Sequence, residues 1–423
     1  MNSIVPDPGA GRPLSETISA CRSCGSDKIE VFLDLGTTAL ADRLLTKADL
    51  TELELRFPLQ TAFCEGCGLV QITETVEPEI LFADDYPYFS SFSPLLLEHA
   101  KANVLDVIER RGLGKGSRVV ELASNDGYLL KNYVEVGIEV LGIDPADGPA
   151  QAAEEIGVPT LLEFFTLDLA NKLAEQGVRA DVLHGNNVLA HVSDTNGFVA
   201  GIRRILKDDG VAVIEAPYLK PLIEHTEFDT IYHEHLCYFS VTALDALFRR
   251  HGLYLNEIKH LDIHGGSLRL FIEPVEAVTQ SVTDQLAIEA REGLDGMDYF
   301  RGFSRKVETL KTDLMALLTR LKAEGKTIAA YGAAAKGATM IQYCDIGPEL
   351  VDFVVDRNTH KQGKYMPGKH IPILAPEELV RRKPDYVLLL AWNFADEIMA
   401  QQEEYRAGGG QFIVPVPEPK ILE

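Results

Sequence analysis

The chain is expected to fold as a multidomain α/β protein, and three observations lead there. Apolar, strand-like runs alternate with helical stretches from about residue 95 to 275 and again from about 327 onward, the pattern of doubly wound sheets. A length of 423 residues exceeds one ordinary core, so two or three domains are expected. Ahead of the first run, four of the six cysteines pair as Cys21-x-x-Cys24 and Cys64-x-x-Cys67, which marks a small separate module.

Composition bounds the function. With 46% hydrophobic and 25% charged residues the chain reads as a soluble protein, and its formal charge of -24 argues against general nucleic-acid binding, which needs clustered Lys and Arg. An anionic substrate must then be held by local dipoles and a few cations. No apolar run reaches the roughly 18 residues of a membrane span, and the polar stretch Met1 to Ala10 lacks a signal-peptide core, so a cytoplasmic location is expected. A monomer is the default, with a homodimer as the alternative.

The elements follow in order. Residues 1 to about 15, rich in Pro and Gly, are expected to fray. In a reducing compartment Cys21, Cys24, Cys64 and Cys67 read as zinc ligands, and the Gly after each pair suits a zinc knuckle. Four thiolates close the shell, which indicates a structural ion; the 39 residues between the pairs imply inserted structure. The segment from Asp84 to Ser93, aromatic and hydroxyl-rich around Pro87, reads either as a packed connector or as a substrate lid.

A helix from Leu95 to Arg111 precedes the strand Arg118 to Leu122, which runs into the turn Ala123-Ser-Asn-Asp-Gly127; the next strand ends at Asp144. A carboxylate near the first strand's end, a small-residue turn and a second carboxylate about 20 positions on form the layout of a nucleoside site, the later carboxylate taking the ribose hydroxyls. No glycine triplet for pyrophosphate is present. Glu121, Asn125 and Asp126 instead suit a ligand with a cationic end and no phosphate. The tips of the strands Ala180 to His184, leading into Asn187 and His191, and Val211 to Glu215 are further site candidates.

Tyr232-His233-Glu234-His235 opens a run to Tyr238 that holds two imidazoles, a carboxylate and two phenols, the equipment for moving a proton and stabilising an oxyanion. The two His are two apart, not the four of a helical zinc motif, which disfavours a metal role. The plain alternative is a polar loop whose His bond backbone. Asp262 to Arg269 is either a glycine turn through which His264 and Arg269 approach a phosphate or hydroxyl-rich group, or a simple hairpin. Residues 277 to 325 read as long helices whose Leu310, Leu314, Leu317 and Leu321 serve interdomain packing. A second α/β unit starts at Thr327: the turn Gly332 to Gly337 before a helix is an anion site with Lys336 adding charge. The strand ending at Asp356 leads to the basic stretch Arg357 to Lys364, which suits a diphosphate or is a solvated loop.

Taken together, the paired Cys motifs, Tyr86-Pro-Tyr-Phe-Ser-Ser91, Glu121 to Gly127, Asn187 to His191, Tyr232 to Ser240, His264 to Arg269, Tyr331 to Gly337 and Asp356 to Gly368 resemble the sugar C-methyltransferases acting on nucleotide-linked 4-keto-deoxyhexoses. The resemblance spans nearly the whole chain. It implies a zinc-binding domain over 1–75, a class I S-adenosylmethionine methyltransferase domain over 76–275, and over 276–423 a helical linker with a Rossmann-like domain gripping the nucleotide sugar. It implies His235 as the base, oriented by Glu234, with Tyr232 and His191 donating hydrogen bonds to an enolate oxygen. It places the methyl donor against Tyr86, Glu121, Ala123, Asn125, Gly127, Asp144 and Asn187, and the sugar nucleotide against Tyr88, His264, Arg269, Lys336, Asp356, Arg357 and Lys361. Ala123 and Asn125 stand where such turns often carry glycine, a departure from the ordinary pattern. Rival readings are an O- or N-methyltransferase, a nucleotide-sugar epimerase or dehydratase, and a zinc-scaffolded binding protein.

Overall fold

The computed structural model describes residues 13–81, 89–263 and 265–422. The fraying expected at the N-terminus and the roles expected of Tyr86, Tyr88 and His264 fall outside or mostly outside these residues.

Strands β1 (Ile29–Ala39), β2 (Arg56–Cys64) and β3 (Val70–Ile72) form an antiparallel sheet. Along β2 the alternation of Phe57, Leu59, Thr61 and Phe63 buries one face, as period-two patterning requires. The fourth strand of this sheet comes from mid-chain: Cys237–Tyr238 pairs with Val70 and Gln71. The loop carrying His235 therefore leads directly into the cysteine module's sheet.

Helix α1 (Pro94–Arg111) begins at Ser93, whose hydroxyl accepts from the Leu96 N–H, and ends at Gly112 in the left-handed region. A seven-stranded sheet follows, built from β4 (Arg118–Leu122), β5 (Glu139–Asp144), β6 (Thr160–Leu162), β7 (Ala180–Asn186), β8 (Leu206–Pro217), β9 (Tyr254–Leu261) and β10 (Ser267–Glu273) in the order β6-β5-β4-β7-β8-β10-β9. All pairs are parallel except those made by β10, which is antiparallel to both neighbours. Val119, Val120 and Leu122 of β4 and Val182 and Leu183 of β7 are buried, as central parallel strands covered on both faces must be. Chain order reverses between β4 and β7, and a crevice opens at their carboxyl ends.

Helix α2 (Val241–Arg250) is capped from a distance: the buried Glu289 carboxylate accepts from the N–H groups of Val241 and Thr242, each at 2.8 Å. Glu289 lies on α3 (Gln280–Glu292), which precedes α4 (Met297–Ala323). Leu310, Leu314 and Leu321 of α4 are buried and Leu317 partly so, and Phe300 stacks on Phe63 of β2 at 4.7 Å, which bears out the packing expected of these helices.

The C-terminal sheet contains β11 (Ile328–Tyr331), β12 (Val354–Val355), β13 (Ile373–Leu374), β14 (Tyr386–Leu389), β15 (Gln411–Val414) and β16 (Lys420–Leu422) in the order β13-β12-β11-β14-β15-β16, parallel but for β16. Its order reverses between β11 and β14, beside the turn that enters α5 (Ala335–Tyr343). The cysteine module is fastened to this unit: Leu45 and Tyr365 exchange backbone hydrogen bonds at 3.0 and 2.8 Å, and the Gln342 amide bonds both N–H and C=O of Ala39. No helix among the described residues is long and apolar enough to cross a membrane.

Candidate active site and metal centre

The four paired cysteines converge. Their Sγ atoms all lie within 4.8 Å of one another, with Cys21–Cys67 at 3.7 Å and Cys24–Cys64 at 3.5 Å. A tetrahedral ion with Zn–S bonds of ~2.3 Å separates its sulfurs by about 3.8 Å, so the donor set fits zinc. The knuckles form as expected: the N–H of Gly25 bonds the Cys21 carbonyl and that of Gly68 the Cys64 carbonyl, both at 2.9 Å, with both glycines at positive φ.

At the tip of β4 the turn bends as a glycine loop does, with other residues. Ala123 and Asn125 adopt φ of 55° and 48°, left-handed values that a Cβ resists and that Asn tolerates better than Ala. Asp144, at the tip of β5, holds this turn by accepting from the N–H groups of Asn125 and Ala146, each at 2.8 Å, and each oxygen retains a further lone pair for a ribose hydroxyl. Gly142, opposite Glu121, is required by the close approach, since a Cβ there would sit 2.5 Å from Ser124 Oγ. From above, Ser90 N–H donates to Asn125 Oδ1 and Ser91 N–H to Asp126 Oδ2, so the end of the aromatic segment is pinned across the turn.

Glu121 is fully buried, and neither carboxyl oxygen has a hydrogen-bond partner among the described residues. Burial first, then the charges of Asp144, Asp126 and Glu215, hold it well above the ordinary carboxyl range. An orphaned carboxyl among other acids is relieved by a cation. S-adenosylmethionine carries an ammonium and a sulfonium and no phosphate, and the turn fits it. Asn187, at φ 53°, donates its N–H to the Glu215 carbonyl, while its side-chain oxygen is buried with no partner among the described residues. His184 lies within the sheet, bonded to the Tyr133 hydroxyl at 2.8 Å and driven down to about 3 by burial, so it is a neutral core residue.

Arg269 corrects an expectation. Its guanidinium is buried against Glu215, the residue opposite it across β8 and β10, with Nε at 2.8 Å and the terminal nitrogen at 2.7 Å, and His99 holds the other oxygen at 2.9 Å. Burial alone would raise the Glu215 carboxyl; the bond from His99 and the Arg269 charge keep it below its usual range. Arg269 thus neutralises one acid beside the crevice and is not free for a sugar. The Asp262 to Arg269 segment joins the antiparallel strands β9 and β10, with His264 outside the described residues; a Cβ on Gly265 would meet the Glu227 carboxylate at 2.5 Å.

Tyr232 to His235 lies between the short turn Phe228–Thr230 and the strand Cys237–Tyr238. The His235 Nδ1 is 2.9 Å from the Thr230 carbonyl, which only accepts, so Nδ1 carries the proton and Nε2 is the acceptor. That Nε2 lies 3.0 Å from the Tyr232 hydroxyl, with the two rings 4.1 Å apart, and His191 stands 4.9 Å away. Glu234 does not orient this ring as expected. Its carboxyl faces Asp42, and burial followed by the Asp42 charge pushes it up to about 8. Where protein crowds the Asp42 carboxyl, desolvation raises it against the attraction of Lys361. His191 donates from Nδ1 to the Glu234 carbonyl at 2.6 Å, and burial holds the ring below the usual imidazole range. His233 takes the plain role, buried with Nε2 3.1 Å from the Pro58 carbonyl.

On the C-terminal sheet Asp356 accepts from the N–H groups of Ala333 and Asn358 at 2.7 and 2.8 Å, and Lys361 donates to the Ala333 carbonyl at 2.8 Å. These residues sit at the carboxyl ends of β11 and β12, as a ligand of that crevice would require. Arg357 is exposed and pairs with Glu397. Lys336 departs from expectation: its ammonium is buried beside Asp229 and Glu227, 4.7 Å from the Trp392 ring, and does not face an anion site. Sequence reasoning missed Asp42, Thr230, Asp229 and Trp392. Nothing local in the sequence flags them, because each acts on a partner from a distant segment or, for Thr230, through its carbonyl.

Comparison with known proteins agrees with this geometry. Family models match in chain order: a zinc binding domain over residues 21–82, a methyltransferase domain over 96–258, and a C-methyltransferase C-terminal domain over 262–417. The ubiquinone biosynthesis O-methyltransferase of Acinetobacter baumannii strain AYE is 24% identical over 48% of this chain and 92% of its own. A TehB-like S-adenosylmethionine-dependent methyltransferase of Corynebacterium glutamicum, among solved structures, covers 41% of this chain and 86% of its own at 17% identity with a TM-score of 0.31. The fold rests on the strand order, that of class I methyltransferases with the reversed strand β10. The C-methyltransferase NovU of Streptomyces niveus is 37% identical over 414 residues, 97% of each chain. A chain alike over that length, with S-adenosylmethionine and zinc as the groups its sites fit, belongs to the C-methyltransferase family.

Proposed function

We propose that this enzyme methylates a ring carbon, C3, of a nucleotide-diphosphate-linked 4-keto-6-deoxyhexose, with His235 as the base that forms the enolate. The observation that carries this reading is the tautomer of His235. Its Nδ1–H is held by the Thr230 carbonyl, so the Nε2 lone pair is the one presented to the Tyr232 hydroxyl and to a substrate. A proton beside a ketone is acidic enough for such a base once the enolate oxygen is stabilised. Tyr232 gives its hydrogen bond to that oxygen as His235 takes the C3 proton, an interaction worth about 10²-fold or more if well aimed. His191, anchored through Nδ1 on the Glu234 carbonyl, stands with Tyr232 as a hydrogen-bond donor to the enolate oxygen. When bound, S-adenosylmethionine supplies an electrophilic methyl for the carbon. Lys361 and Asp356 hold the nucleotide end, and the domains run 1–75, 76–275 and 276–423.

The test is mass spectrometry of products from S-adenosylmethionine and a panel of nucleotide-linked 4-keto-6-deoxyhexoses in deuterated water, with wild type beside His235→Asn. The expected product gains one methyl on a ring carbon, and the variant loses both methylation and solvent exchange at that carbon. Unimpaired carbon methylation by the variant overturns the base.

A further inference from the structure

We propose that Asp229 and Trp392 are positioning residues for the base: they lock the turn 228–232 onto the C-terminal sheet, so that the Thr230 carbonyl holds His235 as its Nδ1–H tautomer. Its catalytic consequence rests on the proposed role of His235, while the tautomer itself does not.

Asp229 and Thr230 are consecutive in one short turn, so a shift of the first moves the carbonyl of the second. Asp229 is fully buried, and its Oδ2 accepts from the Trp392 indole N–H at 2.7 Å. Its other oxygen has no hydrogen-bond partner among the described residues, and the nearby charges are Lys336, which itself lies over the Trp392 ring, and Glu227. The same turn is gripped twice more from α5: Thr339 Oγ1 donates to the Ile231 carbonyl at 3.4 Å, and the rings of Phe228 and Tyr343 meet edge-on at 5.3 Å. Every one of these partners belongs to the C-terminal unit, whereas His235 and Thr230 do not. Trp392 stands just past the carboxyl end of β14, beside the point where that sheet's order reverses. A buried carboxylate is expensive to strand, so removing the indole N–H drives the turn to rearrange toward another donor. A Thr230 carbonyl that moves away lets the imidazole redistribute its proton, and a His235 with the proton on Nε2 cannot accept one there.

The test uses full-length protein labelled with 15N-histidine. Long-range 1H–15N correlation reads the tautomer of His235, assigned by the signal lost in His235→Asn. Wild type is expected to show Nδ1–H alone. Trp392→Phe, which keeps a ring, and Asp229→Asn are expected to show mixed tautomers and a fall of about tenfold or more in C3–H exchange of TDP-4-keto-6-deoxyglucose in deuterated water. S-adenosylmethionine affinity by calorimetry should stay unchanged. Unaltered Nδ1–H signals in both variants overturn the clamp. Wild-type exchange by His235→Asn overturns the base assignment alone, since the tautomer reading still judges the clamp. Should Asp229→Asn fail to fold, Trp392→Phe decides.

Discussion

Glu121 and Glu234 show how differently two buried carboxyls serve one enzyme. Glu121 lies in an acidic neighbourhood with no hydrogen-bond partner among the described residues, a setting that favours a bound cation. Glu121→Gln is expected to raise the melting temperature of the free enzyme at pH 8, because a strained acid is gone, and to weaken S-adenosylmethionine binding about tenfold or more by calorimetry, the scale of a lost charged hydrogen bond. Glu234 is pushed up to about 8 by burial and by Asp42. A carboxyl whose folded value lies above its unfolded one stabilises fully below the unfolded value, near 4.3, and loses that contribution as pH rises through the folded one. Melting temperature should therefore fall from about pH 5 toward 8 more steeply in wild type than in Glu234→Gln. Parallel curves for the two proteins would show that Glu234 does not titrate in that window.

At the scale of elements, the sites are made by strand tips and held by helices. The carboxyl ends of β4, β5 and β7 bring Glu121, Asp144 and Asn187 together, and Glu289 on α3 caps α2 just after the His235 loop. Helix α4 joins the cysteine module to the two α/β units through a buried stripe, and Leu314 lies fully inside it. Leu314→Ala is expected to cost about 2–5 kcal/mol in denaturant unfolding, the usual range for a buried leucine, without changing the product. Strand and helix identities were legible from pattern: the helix expected from Leu95 starts at Pro94, and the strand Arg118 to Leu122 is found as read. The strand expected over Val351 to Asp356 shortens to Val354–Val355, because only those two residues lie in register between β11 and β13.

At the scale of the whole molecule, the metal module reaches the His235 loop. Cys237–Tyr238, just after His235, completes the sheet of β1 to β3, and His233 is anchored on Pro58 of β2. Removing zinc with a chelator under reducing conditions should therefore lower kcat in proportion to the metal released, while S-adenosylmethionine affinity, built on the seven-stranded sheet, holds. Loss of affinity in step with kcat would show instead that the module supports the entire fold.

The sequence by itself determined the α/β class, the chain order of a cysteine module and two α/β units, the four cysteines of the metal centre and the strand-tip turn with Glu121 and Asp144, because periodicity, ligand spacing and turn chemistry are local and survive without knowledge of neighbours. Only the tertiary structure decided what each charged side chain does. Arg269 is neutralised by Glu215, Lys336 is buried beside Asp229, Glu234 faces Asp42, and His235 takes its tautomer from a backbone carbonyl. The reason is that a charge acts on whatever lies within a few ångströms, and which groups lie there is set by the packing of segments far apart in the chain.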